Sequence, residues 1–366
     1  LEKISSKVKT SDSLKRGNMH TTVFNINPLL ETKISKYKLN FQTTRTVRVL
    51  DIPALLRGQL GNILKKKYCS FSPYQKYTCL NCTEAPNCRY TILFSPTHSC
   101  IGEQKSNNKT VNHFTPPRPF TINLQDWHPR GKIQHEGKGT IEITLLGERA
   151  IESHMDLLES LKTALSTITV PLQKGCPAPS TPKCPLIPLE WQCILSEATT
   201  EKFMGNLKKG GADKNKNGTS LDYLLRFLPE TLLPEDPLSM SRITLKIITP
   251  IQSRMKGGIT FVGFIKAIIR RLRDLKRTYH TDNHMGIFTP QFYDLANKVK
   301  IIEKPHLVDL KHFSQSQKKE IDLKGWHGRI SFEGPVGSFI PLLAAGSLVG
   351  IGNKLTYGNG KYKIVV

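Results

Sequence analysis

The chain contains no run approaching the roughly eighteen apolar residues of a membrane-spanning helix, and no signal-peptide apolar core near its first residues. Membrane insertion and secretion are set aside, and a soluble, cytoplasmic protein without a membrane partner is expected. Acidic residues are the second scarcity: Asp plus Glu total 29 against 53 Lys plus Arg, a net charge of +24. That excess far exceeds what solubility requires and points to a polyanionic partner. Neither familiar nucleotide loop is present, because the glycine-rich segment near the end does not run from a strand into a helix and lacks a Gly-Lys-Ser/Thr ending. Asp213, Asn215, Asn217 and Gly218 open like a calcium loop, but its twelfth position is Leu224 where a Glu is required, so a plain loop is expected.

Eight cysteines could staple a secreted protein, and Asn81, Asn108 and Asn217 stand in sequons. The spacing argues for a reducing cell. Cys69, Cys79, Cys82 and Cys88 crowd into twenty residues with one C-x-x-C, whereas Cys100, Cys176, Cys184 and Cys193 are scattered. The clustered set has the ligand count of a structural zinc site, with free thiols beside a turn as the competing reading.

At 366 residues the chain is long enough for two domains, each with its own core. Residues 1–36 are polar and basic and read as an extension. Residues 37–50 alternate as a strand, with Leu39, Phe41, Val47 and Val49 on one face and Arg45 and Arg48 among them. A helix follows Pro53, with Leu56, Leu60, Ile63 and Leu64 at helical spacing and Lys65, Lys66 and Lys67 at its end. Strands are expected at 120–122 and 140–146, then a helix facing inward through Ile151, Met155, Leu158, Leu161 and Leu165. The proline-rich stretch 171–188 reads as a linker or surface meander and 190–198 as a closing strand. Residues 205–237 form a lysine-rich connection around a short helix at 221–228. Beyond it come a strand at 242–249, a helix at 261–277, a strand at 326–334, a helix at 339–349 and a last strand at 361–366.

Both halves therefore follow the order of a β-α-β-β-α-β unit, and the fold expected is α+β, two tandem ferredoxin-like domains. The boundaries are 1–36 for the extension, 37–200 and 241–366 for the domains, and 201–240 for the linker. In the helix at 261–277, Phe261, Ile265, Ile268, Leu272 and Leu275 share one side, while Lys266, Arg270, Arg273 and Arg277 form an opposing stripe. The stripe is either a solvated face or a phosphate contact.

The glycine-rich segment Gly350-Ile351-Gly352-Asn353-Lys354-Leu355-Thr356-Tyr357-Gly358-Asn359-Gly360-Lys361-Tyr362-Lys363 can bring backbone N–H groups close to an anion, or can be a plain helix-to-strand turn. Its flanks sharpen it. With Gly325-Trp326-His327-Gly328-Arg329-Ile330-Ser331-Phe332-Glu333-Gly334 and Leu342-Leu343-Ala344-Ala345-Gly346, it resembles the carboxyl end of the CRISPR-associated repeat-cleaving endoribonucleases, the "Cas six" branch of the RAMP superfamily. Leu56-Arg57-Gly58-Gln59-Leu60-Gly61 with the cysteine cluster resembles the same family in a cysteine-bearing subfamily.

The resemblance implies processing of a CRISPR precursor transcript. The RNA's own 2′-OH would attack the neighbouring phosphate without a metal cofactor, leaving a 2′,3′-cyclic phosphate and a 5′-hydroxyl. Its partners would be repeat RNA or the mature guide, and other CRISPR-associated effector subunits. A non-catalytic RAMP subunit holding the guide's 5′ handle is the alternative, because the family's usual histidine after the first strand is missing from residues 37–68. The proton-transfer candidates are His327, set beside Arg329 by strand alternation, then His98, then Tyr68 with Lys67. The RNA-binding candidates are Lys65, Lys66, Arg45, Arg48, Lys266, Arg270, Arg273, Arg277, Arg329, Gly350, Gly352, Lys354, Gly358, Gly360 and Lys361. The metal candidates are Cys69, Cys79, Cys82 and Cys88.

Overall fold

A computed structural model describes residues 24–25, 32–44, 46–69, 79, 82–96, 116–125, 127–134, 136–168, 186–195, 219–220, 240–252, 258–279, 287–314 and 318–365. Arg45, His98, the calcium-like loop and the expected helix at 221–228 lie outside the described residues.

The first half contains β1 (Lys33–Thr43), α1 (Asp51–Tyr68), α2 (Arg89–Leu93), β2 (Phe120–Leu124), β3 (Lys138–Leu146), α3 (Glu148–Glu152), α4 (His154–Thr167) and β4 (Leu186–Leu195). Its sheet is antiparallel in the order β2-β3-β1-β4. The second half contains β5 (Arg242–Ile251), α5 (Phe261–Tyr279), α6 (Pro290–Asn297), β6 (Lys300–Glu303), β7 (His306–Val308), β8 (Lys311–Ser314), β9 (Lys319–Asp322), β10 (Gly325–Glu333), α7 (Ile340–Val349) and β11 (Tyr362–Val365). Here the order is β6-β10-β5-β11, with β7 also on β10 and β8-β9 a separate hairpin. In each half the first strand lies between the third and the last, so the ferredoxin-like unit occurs twice.

Alternation in β1 buries Tyr37, Leu39 and Phe41, and helical spacing in α1 buries Leu56, Leu60 and Leu64. On α5 all five expected core residues are buried, and Phe261 meets Phe332 and Phe339 edge to face at 4.8 and 5.1 Å. Met155 is a correction: it is 46% exposed. The helix breaks at Ser153, which resets the phase, and Leu157 takes the inward position. The first strand starts at Lys33, and Thr219–Ser220, inside the expected linker, pairs with its first two residues. Strand β4 starts within the proline-rich stretch, and Pro188 is tolerated because β4 is an edge strand.

The two cores exchange residues. Ile321 and Leu323 of the second half are buried in the first core, and Ile34 and Leu146 of the first are buried in the second. Each such aliphatic side chain contributes about 1.5–3 kcal/mol. The halves are therefore held against each other, and the surface between them is a fixed part of the molecule. No helix among the described residues is long and apolar enough to cross a membrane.

Candidate nucleic-acid interface

A cavity of about 590 Å³ opens where α1 and the segment before β2 meet α5, the β8-β9 hairpin and the glycine-rich loop. Three arginines enter it. The Nε of Arg57 donates to Thr356 Oγ1 at 3.2 Å, and its guanidinium lies 4.3 Å from the Tyr357 ring centroid. Arg118 donates to the Phe94 carbonyl at 2.7 Å and lies over that residue's ring. Arg271 donates to the Arg118 carbonyl at 3.3 Å, while its Nε is buried with no acceptor.

None of the three forms an ion pair among the described residues. Burial holds all three guanidiniums below their ordinary value, Arg118 and Arg271 down to about 10, and Arg57 adds to the effect on Arg118. The acidic residues at the rim have partners elsewhere: Glu320 pairs with Lys311 at 3.1 Å, and Asp322 accepts from the Lys324 amide at 2.7 Å. Cations kept partly from water without carboxylates carry a desolvation penalty that an incoming anion relieves. Forked guanidiniums suit a phosphate in geometry as well as charge.

Much of the backbone of the glycine-rich loop is hydrogen-bonded within the chain. The amides of Gly350, Ile351, Asn353, Tyr357, Gly358, Asn359 and Gly360 donate to carbonyls within the chain. Gly352 and Gly360 are required by close packing, since a Cβ would lie 2.5 Å from the Gln252 carbonyl oxygen and 2.3 Å from that of Ile351. The glycines let the loop fold tightly, and several of its side chains line the cavity. Lys354 is among them: it lines the cavity with its ammonium 5.4 Å from the Tyr357 ring centroid. Lys361 instead pairs with Glu142 of β3, which also pairs with Lys36 at 3.2 Å, joining the loop to the first sheet.

His327 lies where the pairing of β10 with β5 shifts register between Trp326 and Gly328. Its ring lies 5.5 Å from that of Trp127 and 5.3 Å from that of His306, and its Nδ1 is buried without a partner. Burial, then His306 and His128, holds its pKa below the usual histidine value. Arg329 faces Glu303 at 3.7 Å.

Tyr68 donates to Asp156, and Lys67 lies 3.5 Å from the same carboxylate and 3.3 Å from Glu159. Eleven residues separate Tyr68 from Arg57, roughly 16 Å along the helix. Lys65 and Lys66 share that last turn, and Arg48 stands on a two-residue strand paired with Lys132–Ile133. Of the α5 stripe, Lys266 and Arg273 lie over the rings of Tyr293 and Phe288, and Arg270 and Arg277 are exposed. Cys69, Cys79, Cys82 and Cys88 are free thiols, and Cys88 donates to the Tyr68 carbonyl at 3.6 Å. No three His, Cys, Asp or Glu side chains gather as metal ligands among the described residues.

Sequence reasoning missed Arg57, Arg118 and Arg271 as a set. Arg57 stood inside a quoted motif, yet nothing in one dimension marks side chains 153 positions apart, such as Arg118 and Arg271, as neighbours.

Residues 243–362 match the family model of the CRISPR-associated endoribonuclease Cas6, and residues 30–170 match an N-terminal-domain model, AF_1859_N. Similar solved structures include a Cas6 product complex at 14% identity and TM-score 0.45, covering 91% of this chain and 100% of that one. A Thermus thermophilus Cas6 is 12% identical, with TM-score 0.45 and coverage of 91% and 99%. A partial Cas6-RT-Cas1-Cas2 complex is 11% identical, with TM-score 0.49 and coverage of 91% and 46%. No curated protein matches the sequence.

Proposed function

We propose that this chain, a Cas6-family RAMP protein across residues 243–362, processes CRISPR precursor RNA by cutting within the repeat. The observation that carries the reading is the cavity in which Arg57, Arg118 and Arg271 stand without carboxylate partners beside a loop of the matched region. A phosphodiester of the repeat fits that vacancy in charge and in shape.

Cleavage follows the metal-independent route. The 2′-oxygen attacks the adjacent phosphorus, the bond to O5′ breaks, and the products are a 2′,3′-cyclic phosphate and a 5′-hydroxyl. The guanidiniums stabilise the charge that develops on the phosphate oxygens. The proton acceptor is assigned to the histidine candidates: His327, whose lowered pKa favours the neutral, proton-accepting ring, and His98. Tyr68 and Lys67 follow them, and no step is routed through a metal. Repeat RNA is the primary partner, with other CRISPR-associated subunits receiving the product. The guide-holding, non-catalytic alternative is not favoured, because the matched family is an endoribonuclease.

The test compares repeat RNA from the protein's own locus with a scrambled RNA of equal length, in chelator, under single-turnover conditions. Tighter, salt-sensitive binding and site-specific cutting of the repeat are expected, slowed by His327→Ala or His98→Ala more than binding is weakened. Equal binding to both RNAs with no cutting would sink the reading.

A further inference from the structure

Five positions of the C-terminal loop have backbone in the left-handed region. Four of them, Gly350, Gly352, Gly358 and Gly360, are glycine, the residue for which that conformation carries no steric penalty. The fifth is Lys354, at φ 62° and ψ 28°. A side chain kept where the loop otherwise uses glycine suggests a task for that side chain, because left-handed non-glycine residues are uncommon and concentrate at functional sites. The backbone there begins the short 3-10 turn Leu355–Tyr357 and places the exposed lysine at the cavity rim.

Resting on the cleavage reading above, we propose that Lys354 is a catalytic residue, the general acid that protonates the departing O5′ of the RNA. As the 2′-oxygen bonds to phosphorus and its proton passes to a base or to solvent, the phosphorus–O5′ bond breaks. One proton moves from the Lys354 ammonium to that oxygen. Water then reprotonates the amine, so nothing is consumed.

The neighbouring guanidiniums are poorly suited to this role, since their delocalised charge makes them fixed cations and forked donors, not proton donors in chemistry. Lys354 faces Arg57 of α1, Arg118 before β2, Arg271 of α5, Lys319, Glu320 and Asp322 of the hairpin, and Tyr357 of its own loop. Burial, then Arg57, Lys319 and Arg118, lowers its pKa, against the opposing pull of Asp322. It therefore parts with a proton more readily than an ordinary lysine.

The experiment uses repeat RNA with its natural O5′ and the same RNA with sulfur replacing that oxygen at the cut. A thiolate leaves without protonation. Lys354→Met is expected to slow cutting of natural RNA by about a hundred- to ten-thousand-fold and of the sulfur-substituted RNA by less than about tenfold. Lys354→Arg should restore binding without restoring the natural rate, and the alkaline fall in the wild-type rate should disappear in both variants. Equal slowing of both RNAs, or an unchanged rate on the natural one, overturns the assignment of Lys354. Wild-type protein that cuts neither RNA overturns the cleavage reading itself.

Discussion

Glu142 offers the sharpest test of how the glycine-rich loop is held. This carboxylate on β3 accepts from Lys36 and from Lys361, and the three side chains are 9%, 23% and 19% exposed respectively. Burial pushes the carboxyl up, but Lys36 and Lys361 outweigh it and hold its pKa below the ordinary 4.5. Lys36 is also held below its ordinary value, by burial first and by Lys361 against the pull of Glu142. The cluster therefore stabilises less than the shift of the carboxylate alone implies.

Removing one partner of a buried pair costs roughly 3–5 kcal/mol, and residual exposure places Glu142→Gln below that range, at about 2–3 kcal/mol. In a molecule whose two halves share their cores, that corresponds to a melting temperature lower by a few degrees. Since the folded pKa of Glu142 is depressed, its contribution is fully present above the ordinary carboxylate value and is lost as pH falls through the folded value. The gap between wild type and Glu142→Gln in thermal melts should thus be full at pH 7 and shrink below about pH 4. Equal stability at pH 7, or a gap that does not change down to pH 3, would refute the reasoning.

Two further outcomes are expected. Arg57→Met with Arg118→Met should weaken repeat RNA binding and reduce the slope of log affinity against log salt by about 1.4, the single-strand value for two phosphate contacts. Some stability should be lost as well, because Arg118 donates to the Phe94 carbonyl and Arg57 to Thr356, so binding is read below the variant's melting temperature; filter binding across a salt series checks the first part, and an unchanged slope contradicts the phosphate assignment. The structural zinc expected from the cysteine spacing is kept as a proposal that requires the thiols to draw closer than they sit. It predicts about one zinc per chain, lost with Cys79→Ser and Cys82→Ser together and accompanied by a lower melting temperature. Metal analysis of fresh, reduced protein showing no zinc retires it.

The amino-acid sequence by itself determined the pieces. Period-two and period-3.6 burial were legible in β1, α1 and α5 because those patterns are local, and their order alone specified the ferredoxin-like unit twice over. The glycine density at 350–360 marked the loop, and the charge balance marked a polyanion as partner. What the tertiary structure decided was which cations are available to that partner. Lys361 is neutralised by Glu142 from the other half of the chain, whereas Arg57, Arg118 and Arg271 lack carboxylates because none lies within ion-pair distance among the described residues. His327 sits at a register shift between β10 and β5. A cation's availability depends on which carboxylates, rings and carbonyls the fold brings beside it, and those neighbours lie up to 300 positions away, as Tyr357 does from Arg57.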